Sequence, residues 1–226
     1  MALTLYIHPL ASFCHKVLIA LYENGTAFHS QTVDFSDAGS ASALLERWPV
    51  GKIPVLYDDA TGRTIPETSI IIEYLQQTCP GPVPLLPHDR ETLLQTRLWD
   101  RFFDLYVSTP MQKIVTDRIR PEGSNDPHGV TDARAALDTA YAMIERQVSD
   151  HPWAVGETFT MADCAAAPAL FYASIVHPFR PDQTALRDYL DRILARPSVV
   201  RTLREARPFF HMFPYREAMP ERYLAL

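Results

Sequence analysis

Three short stretches near the start of the chain carry groups able to hold and ionise a small peptide-like ligand. The first, Pro9-Leu10-Ala11-Ser12-Phe13-Cys14-His15-Lys16, leaves a predicted strand and opens a predicted helix. A helix start presents unpaired N–H groups and the positive end of the backbone dipole, which suit an anion such as a thiolate. Ser12 offers a hydroxyl there, either as a helix cap or as a donor to that anion. Cys14 offers a thiol, either as a small buried hydrophobe or as a nucleophile of lowered pKa. In the second stretch, Val50-Gly51-Lys52-Ile53-Pro54-Val55-Leu56, a proline heads an apolar run. Lacking an N–H, it belongs at a strand entry, an edge, or a turn with a cis bond. A cis Ile53–Pro54 bond would turn the N–H and C=O of Val55 outward to pair with an extended peptide. The third, Ile65-Pro66-Glu67-Thr68-Ser69, opens another helix. There Glu67 suits an ammonium, and Thr68 with its N–H suits a carboxylate, so the pair either caps the helix or holds both ends of an amino acid.

The surrounding sequence predicts the elements that position these groups. Leu3 to Ile7 reads as a strand, Val17 to Leu21 as part of a helix, and Thr32 to Asp34 as a strand. Pro54 to Tyr57 and Arg63 to Ile65 flank Asp58-Asp59-Ala60-Thr61-Gly62 as a hairpin, and Thr68 to Gln77 reads as a helix with Ile70, Ile71, Tyr74 and Leu75 on one face. The expected order is β-α-β, a short α, then β-β-α. Cys79-Pro80-Gly81-Pro82-Val83-Pro84 suits neither helix nor central strand and marks a linker. Beyond it the periodicity is helical. Leu94, Leu98, Phe102, Leu105 and Tyr106 form one stripe, and Ala133, Leu137, Ala140, Tyr141, Ile144 and Val148 another. Thr160-Met161-Ala162-Asp163 resembles a capping box ahead of the apolar run Cys164 to Val176. Leu186, Tyr189, Leu190, Ile193 and Leu194, then Val199, Val200 and Leu203, continue the bundle. About five helices are expected, with one long loop at Gly123 to Gly129.

Composition excludes several classes. The 226 residues carry 21 Lys+Arg against 27 Asp+Glu, a net charge of −6 without a basic run, which argues against nucleic acid as a partner. No apolar stretch approaches the ~18 residues of a membrane span, and the first ten residues do not read as a secretion signal. Cys14, Cys79 and Cys164 are too few and scattered for a disulfide framework, which fits a reducing cytoplasm. No paired His or Cys spacing points to a metal.

Taken in this order and spacing, with the proline-rich linker and Phe159-Thr160-Met161-Ala162-Asp163 after it, the three stretches resemble a cytosolic glutathione transferase. The resemblance covers essentially the whole chain. It implies a thioredoxin-like βαβ-ββα domain over residues 1–79, a linker at 80–87, and an all-helical domain over 88–226, usually in a homodimer. It further implies that glutathione is the co-substrate, without a metal. The backbone of Val55, beside the cis-proline Pro54, would then take the cysteinyl part, Glu67 and Thr68 the γ-glutamyl end, and Lys52 the glycine carboxylate, with Ile53 also in the glutathione site. A small apolar electrophile would lie among Phe13, Phe103, Tyr106 and Phe210, within reach of the aromatic tail Phe209 to Phe213.

The implied chemistry is attack by a glutathione thiolate stabilised by a hydroxyl and the helix start. Tyr6 lies too far before the turn to serve as a catalytic tyrosine. The position five before Lys16, where serine-type and cysteine-type members often carry the catalytic group, is Ala11. Ser12, one place later, is the expected activating residue, with Cys14 the alternative. Cys14 would instead support thiol oxidoreduction, and an isomerase acting on a maleylacetoacetate-type acid belongs to the same second reading. Ala11 favours a third, a protein that binds glutathione without activating it.

Overall fold

A computed structural model describes residues 2–224; residues 1, 225 and 226, at the outer ends of the two expected domains, lie outside the described residues. The first half contains β1 (Leu3–Ile7), α1 (Ser12–Glu23), β2 (His29–Thr32), α2 (Ala38–Arg47), β3 (Val55–Asp58), β4 (Arg63–Pro66) and α3 (Thr68–Thr78). The sheet order is β2-β1-β3-β4, with β1 parallel to β2 and the other pairs antiparallel. A parallel pair needs a crossover connection, and α1 supplies it. Alternation sorts the faces. Leu3, Leu5 and Ile7 pack with Leu56, Ile65, Ile71 and Leu75 on one side, while Val33, Leu44 and Val55 pack on the other.

Two elements differ from the sequence reading. Strand β2 lies at His29–Thr32, not Thr32 to Asp34. Its four residues are all exposed, so no apolar alternation announces it, and buried Val33 sits just beyond its end. In α3 the buried face is Thr68, Ile71, Ile72 and Leu75, and Ile70 is exposed.

No helix or strand forms between Thr78 and Arg90. Beyond it come α4 (Arg90–Phe102), a π-helical segment (Phe103–Ser108), α5 (Thr109–Arg118), α6 (Pro127–Gln147), α7 (Met161–Val176), α8 (Thr184–Leu194), α9 (Pro197–Ala206), two 3₁₀ turns and α10 (Glu221–Leu224). Seven α-helices among the described residues replace the expected five. The expected loop at Gly123 to Gly129 ends early, because Asp126 caps α6 by accepting from the Gly129 N–H and Pro127 occupies its first turn.

The stripe Leu94, Leu98, Leu105 and Tyr106 faces outward, and of that row only Phe102 is buried. The buried face is instead Thr96, Trp99, Asp100, Phe103, Asp104 and Val107. Two carboxylates lie on it because they meet Lys16, which is 1% exposed on α1. Lys16 Nζ is 2.6 Å from Asp100 Oδ1 and 2.8 Å from Asp104 Oδ2, and it donates to Ser69 Oγ at 3.1 Å. Ser69 in turn donates to Asp100 Oδ2 at 2.6 Å. One ammonium thus joins α1, α3, α4 and the π-helical segment. Helix α1 also contributes Ile19 and Ala20 to the helical core and Val17, Leu18 and Leu21 to the sheet core.

The capping box at Thr160 and Asp163 is present. Fully buried Asp163 accepts from the Ala154 and Thr160 N–H groups, each at 2.8 Å, and from the Tyr189 hydroxyl at 2.7 Å. An orphaned buried donor costs about 1–3 kcal/mol. Asp163→Ala is therefore expected to destabilise the protein by about 3 kcal/mol or more, read as a lowered urea midpoint. Asp163→Asn, which keeps an acceptor oxygen, is expected to lose less.

Candidate active site

The segment before β3 and the start of α3 form two walls of one cleft of about 150 Å³. Lys52, Ile53 and Pro54 stand on one wall, Glu67 and Thr68 on the other. Phe13, Trp48 and Asp104 complete the lining. Gly51, at φ +69°, turns the chain into the first wall, where a side chain would be strained. The Ile53–Pro54 peptide bond is cis. Glu67 has a φ of +68°, the one non-glycine among the described residues in the left-handed region. Such a residue costs free energy and is found where the surroundings hold it for a purpose. Its side chain caps nothing in α3 and is left toward the cleft.

Val55 does not face this cleft. It is fully buried in β3, in register with Tyr6 on one side and Pro66 on the other, so its backbone lies inside the sheet. Ile53, ahead of the strand, is the residue that borders the cleft with its main chain outside the ladder.

A second, apolar cleft of about 250 Å³ adjoins the start of α1. Ser12 borders it with Leu10, Met111, Gln112, Tyr172 and Phe213. Ser12 is the first residue of α1, and its Oγ receives a long hydrogen bond of 3.4 Å from Gln112 Nε2. Ala11 is the N-cap, so no side-chain acceptor caps this helix. Ser12 and Phe13 are consecutive, one on the apolar cleft and the other on the polar cleft.

The remaining expected site residues fall elsewhere. Phe103 is fully buried in the helical core, where it meets Trp99 and Phe102. Phe210 packs on Phe171, also in the core. Tyr106 is exposed and packs against Phe102. These three aromatics line neither cleft; Phe13 does. Cys14 is fully buried against the sheet, and loss of solvation pushes its thiol up to about 12. Burial of this kind disfavours a thiolate at neutral pH and keeps the sulfur from solvent.

Trp48 and Asp104 border the polar cleft without having been singled out in the sequence. Trp48 lies just past α2 with no motif around it, and Asp104 sits in a π-helical turn that no spacing announces. Burial raises the Asp104 carboxyl, opposed by the Lys16 charge beside it. Among the described residues, no group of three or more His, Cys, Asp or Glu side chains is arranged to hold a metal, and no helix is long and apolar enough to cross a membrane.

Comparisons with known proteins bear on this geometry. Residues 5–83 match the family model for the glutathione S-transferase N-terminal domain, and residues 120–192 match that for the C-terminal domain. The chain is 30% identical over 158 residues to the glutathione S-transferase-like protein LUC7 of a Fusarium species, spanning 70% of this chain and 71% of that one. It is also 30% identical over 161 residues to a glutathione S-transferase of Pseudomonas putida, spanning 71% and 70%. A solved glutathione S-transferase of Methylobacterium radiotolerans, in complex with glutathione sulfonate, superposes with a TM-score of 0.77 at 30% identity, covering 89% of this chain and 94% of that one. The chain belongs to the glutathione S-transferase family.

His15 is an internal part of the turn. It is 1% exposed, its Nε2 donates to the Pro9 carbonyl oxygen at 2.5 Å, and its ring lies 5.7 Å from that of Tyr172. Burial lowers its pKa from 6.5 to about 4. Between those values the unfolded chain binds the proton and the folded chain does not, so stability rises with pH across this window and is lost on acidification through it. The difference corresponds to about 3 kcal/mol. Urea unfolding at pH 7 and pH 4.5 is expected to show most of this loss in the wild type and a shallower one in His15→Gln.

Proposed function

We propose that the protein is a glutathione transferase in which Ser12 stabilises the glutathione thiolate for attack on small, largely apolar electrophiles. The observation that carries this reading is that the consecutive residues Ser12 and Phe13, at the start of α1, border an apolar and a polar cleft. The polar cleft offers Lys52, Glu67 and Thr68 to the charged ends of a peptide, and the apolar cleft begins at the Ser12 hydroxyl. In this reading the γ-glutamyl ammonium meets Glu67, its carboxylate meets Thr68 and the first turn of α3, and the glycine carboxylate meets Lys52. The main chain of Ile53 takes the cysteinyl part. The sulfur then lies between Phe13 and Ser12. There the hydroxyl and the uncapped N–H groups of α1 stabilise negative charge, and the thiolate attacks an electrophile held in the second cleft.

The same reading makes the protein a cytoplasmic homodimer. Ile70 on α3, Leu94 and Leu98 on α4, and Leu105 beyond it are large apolar side chains about half exposed. Their position beside the Lys16 cluster suits contact with a second copy of the chain.

Titration of glutathione into the protein, followed by the ultraviolet absorbance of the thiolate, tests the proposal. In the wild type the bound thiol is expected to ionise near neutral pH. In Ser12→Ala the transition should move at least one pH unit toward the ~8.5 of a free thiol, with conjugation slowed about 10²-fold. Cys14→Ser should leave both unchanged. A thiolate signal indifferent to Ser12→Ala would remove Ser12 from the mechanism.

A further inference from the structure

A hydroxyl offers one donor and two acceptor positions, and at Ser12 the two kinds are treated differently. The oxygen receives a hydrogen bond from Gln112 Nε2 of α5 at 3.4 Å, across 100 positions of sequence. The proton has no acceptor among the described residues. The carbonyl groups of the turn ahead of it are engaged: that of His8 accepts from the Ala11 N–H at 2.9 Å, that of Pro9 from His15 Nε2 at 2.5 Å, and that of Leu10 from the Tyr172 hydroxyl at 2.9 Å. With a donor seated on its oxygen, the hydroxyl presents its proton to an acceptor on its other side.

The setting strengthens this effect. Gln112 stands on the face of α5 that also carries Met111, Val115 and Ile119, and no residue lining the apolar cleft bears a charge. Burial of Met111 and Ile114 holds that helix in place. The other polar side chains of the cleft are committed elsewhere, since the Thr116 hydroxyl donates to the Gln112 backbone carbonyl at 2.7 Å and Tyr172 to Leu10. A neutral dipole in such surroundings acts strongly on a charge nearby, because little screens it.

We propose that Gln112 is a positioning residue, whose amide N–H on Ser12 Oγ holds the Ser12 proton toward the glutathione sulfur. This role rests on Ser12 being the activating residue. Gln112 lines the apolar cleft and not the polar one, so it acts on the thiolate through Ser12. Ser12 keeps its proton throughout, and the proton lost by the thiol passes to solvent. As charge grows on the sulfur, the Ser12 oxygen becomes the better acceptor for Gln112, and the two hydrogen bonds reinforce each other. Bonds of this kind are often long until substrate is bound and then tighten. The direction of the amide matters, because an oxygen facing Ser12 would take its proton and deprive the sulfur of a donor. A carboxylate at this position imposes that reversed arrangement.

The pH titration of bound glutathione by thiolate absorbance tests the proposal in Ser12→Ala, Gln112→Leu, Gln112→Glu and the double variant Ser12→Ala/Gln112→Leu, each first shown to keep the wild-type circular dichroism. Gln112→Leu, which retains length and packing, is expected to raise the thiol midpoint by about half a pH unit. Conjugation should then slow about threefold at a pH below both midpoints and recover above them, with KM for glutathione unchanged. Gln112→Glu is expected to raise the midpoint by about one pH unit or more, since it withdraws the Ser12 proton and adds negative charge. In the Ser12→Ala background Gln112→Leu is expected to change nothing further. A wild-type midpoint in Ser12→Ala would overturn the reading of Ser12 on which this role rests. A shifted midpoint in Ser12→Ala beside wild-type midpoints in both Gln112 variants would overturn the role of Gln112 alone. A Gln112→Leu shift that persists undiminished without the Ser12 hydroxyl would overturn its action through Ser12.

Discussion

The structure depends on the burial of one ammonium group. Lys16 is enclosed by Asp100, Asp104 and Ser69, and removing one partner of such a buried cluster costs about 3–5 kcal/mol by leaving charge uncompensated. The geometry is unequal: Asp104 accepts a hydrogen bond, whereas Asp100 Oδ1 is close to the ammonium but poorly aligned with it. Arg101, half exposed at 3.5 Å from Asp104, supplies part of the missing positive charge. An arrangement of this kind contributes little net stability compared with apolar packing, but it specifies which elements meet. Here it fixes the start of α3, which carries Glu67 and Thr68, against α1, which carries Ser12.

Helix α1 is therefore the common support of both halves. Its N-terminal turn is held from several directions: His15 bonds Pro9, the Leu10 N–H bonds His8 Nδ1, and the Tyr172 hydroxyl of α7 bonds the Leu10 carbonyl. Its far end is tied by Glu23, which accepts from Arg196 and Ser198 at the start of α9. A turn held at so many points presents its first hydroxyl and N–H groups in one geometry, which electrostatic stabilisation of a thiolate requires.

Much of this was legible in the sequence wherever local chemistry and burial agree. The cap at Asp163, the hairpin around Asp58 to Gly62, and the stripe from Ala133 to Ile144 follow from residue type and spacing. Reading failed where burial and polarity part company. The stripe Leu94, Leu98, Leu105 looked like a core face because it is apolar, but the buried face carries Asp100 and Asp104, whose partner Lys16 is 84 and 88 positions away. The same long-range pairing hid Asp104 from the list of cleft residues. Phe103 and Phe210 were read toward a ligand because large aromatics suit either role, and only packing against Trp99 and Phe171 decides it. Val55 was displaced by its sheet register, which no local signal specifies.

The buried ammonium and the polar cleft are linked through the start of α3. The most direct measurement is the dissociation constant of glutathione for Lys16→Met, determined by calorimetry at a temperature where circular dichroism shows the variant folded. If the Lys16 cluster holds the two walls in place, affinity falls at least tenfold while the helical signal remains. Wild-type affinity in the folded variant would contradict the account, since the cleft would then form without the ion cluster.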